Sequence, residues 1–291
     1  MKTFSSLMLY LIILIYSVKS SLDDNYIIAI YKIDKPGKYF IINSYSNFYY
    51  EFDKIEEPIP KLPYRTELDN TEEIEGCSMY VNGIKEKFSY YKTFEKQGLY
   101  EIKFQFNKLL KSTSYMFRDI FQNLIKVDLS HLNTKNLIYM ENMFDMCRDL
   151  LFVDFSNFFG ENVISTKGLF YYCYSIRSID MSSFKPKQLQ TVDYMFEWCK
   201  NLKELKIKFN VEKVESFNSM FNNCLKLKKL DLSSFHTNNA KSMEDMFFKC
   251  ESLTSLDITN FNTSKVINMG LMFSGCKSLS QIRLIILILV K

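Results

Sequence analysis

Histidine, glycine and long apolar runs are all scarce in this 291-residue chain, and each scarcity removes a class of function. Eight glycines leave little of the backbone permissiveness that phosphate-cradling loops use. No Gly-rich phosphate loop, nucleophile elbow or zinc-spaced ligand set occurs, so catalytic residues, cofactors and metals are not expected and the chain does not read as an enzyme. Excess charge of one sign is also scarce: the formal net charge is +4, and without Lys2 and Lys19 it is +2. So even a balance gives no electrostatic reason to expect nucleic acid as a partner.

The apolar run Leu7–Val18, "LMLYLIILIYSV", follows Lys2 and precedes Ser20. It is shorter than the roughly 20 residues a membrane span needs and has the layout of a secretory signal peptide, residues 1–20, cut between Ser20 and Ser21. An uncleaved anchor is the alternative. The chain is therefore expected to be secreted, extracellular or at a cell surface, with no transmembrane span beyond the signal peptide.

What is abundant is repetition. Cys147, Cys173, Cys199, Cys224, Cys250 and Cys276 are separated by 26, 26, 25, 26 and 26 residues. Disulfide frameworks have irregular spacings, whereas a fixed period means one structural position visited six times, here by a small buried hydrophobe. Before each cysteine stands an apolar stripe. Met140, Met143, Phe144 and Cys147 lie at i, i+3, i+4 and i+7, as do Val192, Met195, Phe196 and Cys199, which predicts two turns of amphipathic helix. After it comes an alternating run such as "LKKLDL" (Leu227–Leu232) or "LTSLDI" (Leu253–Ile258), which predicts a strand with one buried face. A strand plus a helix every 26 or so residues falls within the period of leucine-rich repeats. The expected fold is an α/β solenoid, a right-handed stack over residues 111–291 with strands on its concave side.

The unit "LKKLDLSSFHTNNAKSMEDMFFKCESL" at Leu227–Leu253 resembles the BspA-like leucine-rich repeat. The resemblance covers about Ser112–Leu279 and implies a surface protein, since relatives of that kind include proteins that bind extracellular matrix or other cells. Departures occur at Thr166, Leu169 and Phe170, and at Lys206 and Lys208, which replace the usual Asp and Ser.

Residues 21–110 read differently. "NYIIAIYKI", "GKYFIINSY" and "LYEIKFQF" are short, aromatic and alternating, predicting a small β-rich N-terminal region, with the acidic stretch Glu67–Glu75 as a solvated loop. Leu284–Val290 is a seven-residue apolar run that reads as a terminal strand, or as a chain continuing beyond the sequence.

Candidate functional residues come from the exposed strand positions. Asp128, Asp154, Asp180, Asp231 and Asp257 form a column interrupted by Lys206. This column either meets a cationic partner or weakly holds a divalent cation, or else it shares hydrogen bonds with neighbouring serines. The concave-face binding candidates are Asp180, Glu204, Lys206, Lys208, Lys229 and Asp231. His131 and His236 occupy corresponding turns four repeat steps apart, roughly 20 Å at sheet spacing, too far for a shared metal. Asn262-Thr263-Ser264 is a glycosylation acceptor pattern on Asn262. The expected function is adhesion or recognition of an extracellular or cell-surface protein or glycan. The alternative is a structural coat that self-associates through its uncapped C-terminal end.

Overall fold

The computed structural model describes residues 25–48 and 64–283. The leader at residues 1–20 and the run Leu284–Val290 lie outside them.

The first half is antiparallel. Strand β1 (Tyr26–Ile33) pairs with β6 (Gly98–Gln105) from Tyr26 opposite Gln105 to Ile33 opposite Gly98. Its alternation buries Ile27, Ala29, Tyr31 and Ile33 on one face. β3 (Ser78–Val81) pairs with β6 and with β4 (Ile84–Glu86), the latter through the Asn82-Gly83 turn, where both residues have positive φ. β2 (Gly37–Phe40) pairs with β5 (Tyr91–Phe94) in a separate ribbon. The acidic stretch is no loop: it holds a 3-10 turn, Thr66–Leu68, and a short helix α1, Thr71–Glu75, which bury Leu68 and Ile74.

β1 also pairs with β7 (Leu124–Asp128), which pairs in parallel with β8 (Phe152–Asp154), so one six-stranded sheet runs across residue 110. Beyond it, β9 (Ser178–Asp180) pairs with β10 (Glu204–Lys206), and β11 (Ser255–Asp257) with β12 (Gln281–Arg283), both parallel. A second line of parallel bridges joins Ser112, Tyr139, Ser165, Thr191, Ser216, Ser242 and Asn268 in order. One hydrophobic core runs from Ile27 to Met272.

The expected α/β solenoid, with a helix in every unit, is contradicted. No residue from 107 to 283 is helical, and the architecture is one of small strand sheets and turns with short helices only before residue 77. The reason lies in backbone conformation. Each supposed helix carries two left-handed residues four apart: Asn142 and Met146, Gly168 and Tyr172, Tyr194 and Trp198, Ser219 and Asn223, Asp245 and Lys249. A left-handed residue cannot continue a right-handed helix. The backbone instead folds into two successive turns, with Asp145 N–H donating to Asn142 O and Cys147 N–H to Phe144 O. The alternate N–H groups of Met140, Asn142, Phe144 and Met146 donate to the next unit, at Ser165, Lys167, Leu169 and Tyr171 O. Two turns bring i, i+3, i+4 and i+7 to one side as a helix does, so Met140, Met143, Phe144 and Cys147 are all fully buried.

The cysteines and phenylalanines of these turns bind unit to unit. Each thiol donates to the carbonyl of the phenylalanine one unit earlier, Cys147 to Phe117 at 2.9 Å and Cys199 to Phe170 at 3.2 Å. The rings of Phe117, Phe144, Phe170, Phe196, Phe221, Phe247 and Phe273 form a stacked column with centroids 5.3 to 5.8 Å apart. All seven cysteines are free thiols, and burial pushes the thiols of Cys147, Cys173, Cys199, Cys224 and Cys250 well above their ordinary pKa.

Candidate functional site

The aspartates of the exposed strand face have a local role. Asp128, Asp154, Asp180, Asp231 and Asp257 each accept, through Oδ1, the backbone N–H two residues on, from Ser130, Ser156, Ser182, Ser233 and Thr259 at 2.9 to 3.1 Å. This is the Asx turn that reverses the chain after each rung. The column is therefore a series of turn-forming residues, with each serine or threonine partner in the same unit rather than on the neighbouring strand.

One unit lacks this turn. Where the others read "DFSNF", "DMSSF", "DLSSF" or "DITNF", residues 206–209 read "KIKF", one residue shorter and without the aspartate. The anchors on either side stay in register. Leu205 is buried, and Phe209 packs edge-on against Phe184 and tilted against Phe235, both with centroids at 5.7 Å. The missing residue is therefore taken out of the exposed path between them. No backbone hydrogen bond joins residues 204–208 to 228–232, and Lys228–Asp231 is not a strand.

A cleft of about 650 Å³ opens at this place, lined by Lys203, Glu204, Leu205, Lys206, Lys226, Lys228, Lys229, Leu230, Asp231 and Ser252. Five lysines face two carboxylates. Lys206 Nζ donates to Asp180 Oδ2 at 2.8 Å, and this contact first, then the Ser182 turn, pulls the Asp180 carboxyl down to about 2. Lys208 Nζ lies 3.9 Å from Asp231 Oδ2, and Lys226 Nζ donates to Asn201 at 2.6 Å. Lys203, Lys228 and Lys229 are exposed and form no ion pair among the described residues.

The structure thus brings together the six residues singled out from the sequence. Glu204, Lys206, Lys229 and Asp231 line the cleft, and Asp180 and Lys208 contact it through Lys206 and Asp231. Sequence reading missed Lys203, Lys226 and Lys228. The signal that could have found them is the single 25-residue step between Cys199 and Cys224, which marks the shortened unit.

The other candidates stand apart. Asn262 is exposed, with Nδ2 donating to Asn238 at 3.1 Å and Oδ1 accepting from Ser264 N–H. His131 stacks on Tyr26 with centroids 4.5 Å apart, while His236 is an exposed residue in another unit. No cluster of metal-ligating residues occurs among the described residues, and no helix there is long and apolar enough to cross a membrane.

A second hollow, about 430 Å³, joins the first units to Arg65 and Leu68. Arg65 binds buried Glu141 at 2.8 Å, and Arg118 Nε lies 3.1 Å from Oδ2 of Asp145, which is 1% exposed. Burial pushes the Asp145 carboxyl up to about 7, against the pull of Arg118. Arg65 and Arg118 meet the hollow's carboxylates while Lys167 lies at its edge over Tyr194, and contacts spanning 76 residues, as between Arg65 and Glu141, leave no trace in local sequence.

Two overlapping stretches, residues 82–207 and 164–284, match the family described as Mycoplasma protein of unknown function, DUF285. The chain belongs to this family. DUF285 membership accords with the BspA-like resemblance at family level and does not establish leucine-rich repeats. The cleft lies wholly inside the second DUF285 stretch. No curated protein and no solved structure matches the chain.

Proposed function

We propose that the chain is a secreted or cell-surface recognition protein that engages an extracellular ligand through the lysine-lined cleft. The observation that carries this reading is the coincidence, in one unit, of a lost Asx turn, a lost residue and a concentration of lysines. A unit maintained only for packing would keep the Asp-x-Ser turn used by its neighbours. This one replaces both polar turn residues by exposed lysines, which meet Asp180 and Asp231 at the surface.

The leader pattern read from residues 1–20 supports a position outside the cell, where an exposed charged cleft would meet adhesive ligands. Attraction on so open a face sets encounter rate and salt dependence more than absolute affinity. The test is capture of extracellular ligand by the full chain and by the Lys206→Ser/Lys208→Ser variant. Both side chains are exposed, so the thermal midpoint should hold, with stability changed by less than about 0.5 kcal/mol. Capture should weaken in the variant. Equal capture would move recognition elsewhere, and concentration-dependent self-association without any ligand would favour the structural coat.

A further inference from the structure

The chemistry of the cleft narrows the ligand. Its lining holds five lysines, no arginine and no aromatic residue, over a floor formed by Leu205 and Leu230. Protein partners are held mainly by buried Trp, Tyr and Arg anchors, and their interfaces are depleted in lysine. A carboxylate-rich peptide is best matched by the planar fork of arginine, which binds carboxylates bidentately. Single-stranded nucleic acid requires aromatic platforms for its bases, and none lines the cleft. What remains is a ligand carrying closely spaced compact anions along a polar chain, for which lysine acts as a mobile point charge.

Resting on the reading of the cleft as a recognition site, we propose that its ligand is a sulfated polysaccharide. Laid across the cleft, such a chain meets Lys203 and Lys206 on one side and Lys226, Lys228 and Lys229 on the other. Because all five line one cleft, the lysines act on a bound chain together, and salt screens that attraction. The unpaired ammonium groups of Lys203, Lys228 and Lys229 lead the contact. Lys206 is shared with Asp180 and so is held in place.

The test uses the full chain and fluorescently labelled dextran sulfate, with unsulfated dextran and polyglutamate as comparisons. Two variants of equal charge are made: Lys203→Ser/Lys228→Ser/Lys229→Ser in the cleft, and Lys87→Ser/Lys96→Ser/Lys135→Ser at exposed positions far from it in sequence. Both should keep the wild-type thermal midpoint. The wild type should bind dextran sulfate in a salt-dependent manner and ignore dextran. The cleft variant should bind at least about tenfold more weakly, while the distant variant stays within about twofold. Equal weakening in both variants would overturn the proposal, since net charge alone would then explain binding. Equal affinity for polyglutamate would overturn it in favour of an acidic polypeptide. If the wild type binds none of these polymers while the cleft variant loses capture of extracellular ligand, the glycan is wrong and the recognition site stands.

Discussion

Phe196 offers the sharpest probe of how the units are held together. Its ring is fully buried and stacked between Phe170, with centroids at 5.8 Å and planes at 8°, and Phe221, at 5.7 Å and 4°. Truncation to alanine should cost about 3–5 kcal/mol, a large part of the stability of an ordinary domain. The gentler Phe196→Leu keeps most of the apolar volume and removes both ring pairs, each contributing about 0.5–1.5 kcal/mol beyond burial, so about 1–3 kcal/mol should be lost. Urea denaturation reads this as a lowered midpoint with an unchanged slope. A double-mutant cycle sharpens the test. Phe170→Leu and Phe196→Leu should be non-additive by at least about 0.5 kcal/mol, whereas Phe170→Leu and Phe221→Leu, two steps apart, should add within about 0.5 kcal/mol. Coupling between the distant pair as large as between neighbours, or a loss below about 0.5 kcal/mol for Phe196→Leu, would refute the stacked column.

Other consequences are open to direct measurement. Alkylation of the native protein should leave Cys147, Cys173, Cys199, Cys224 and Cys250 unlabelled and reach the half-buried Cys276 first, with all seven labelled after denaturation; mass spectrometry showing intact disulfides would contradict the thiol-to-carbonyl pattern. Asp154→Ala removes the acceptor of Ser156 N–H and should cost about 0.5–1.5 kcal/mol in denaturant titration, with no change in ligand capture. Asp145, raised to about 7 by burial, binds its proton more tightly in the folded protein than in the unfolded chain. Its contribution is therefore most favourable below the unfolded value near 4 and is lost as pH rises toward about 7. Asp145→Asn should gain on the wild type by roughly 3–5 kcal/mol across that interval in thermal melts, and parallel profiles would show that Asp145 does not titrate as described.

Burial was more legible in the sequence than backbone path. Met143, Phe144 and Cys147 are recognisable as interior from their recurrence alone, and all are fully buried. What recurrence could not separate was a helix from a pair of turns, because both place i, i+3, i+4 and i+7 on one side. Asn142, Gly168, Ser219 and Asn223 hint at left-handed backbone, but Tyr172, Tyr194, Trp198 and Leu271 take the same conformation and conceal the hint. Tyr172, Tyr194 and Trp198 are held there by hydrogen bonds to the next unit, an interaction invisible to a local window. The acidic stretch misled for a similar reason: Leu68 and Ile74, spaced among five acidic residues, supply the buried side of short helical turns. At the site, Lys206 and Lys208 stand out as departures from the Asp-x-Ser pattern. Lys203, Lys226 and Lys228 do not, because their proximity to the cleft depends on how the shortened unit sits beside its neighbour.

The most direct test of the account is to give the short unit back its turn. Replacing Lys206→Asp and Lys208→Ser, with one serine inserted before Phe209, restores the "D-x-S-S-F" layout used at Asp180 and Asp231. The account predicts a thermal midpoint at or above the wild-type value, since a turn hydrogen bond is regained, together with capture of extracellular ligand weakened at least about tenfold. A restored unit that folds normally and captures ligand as well as the wild type would contradict the claim that the lysine cleft is the recognition site.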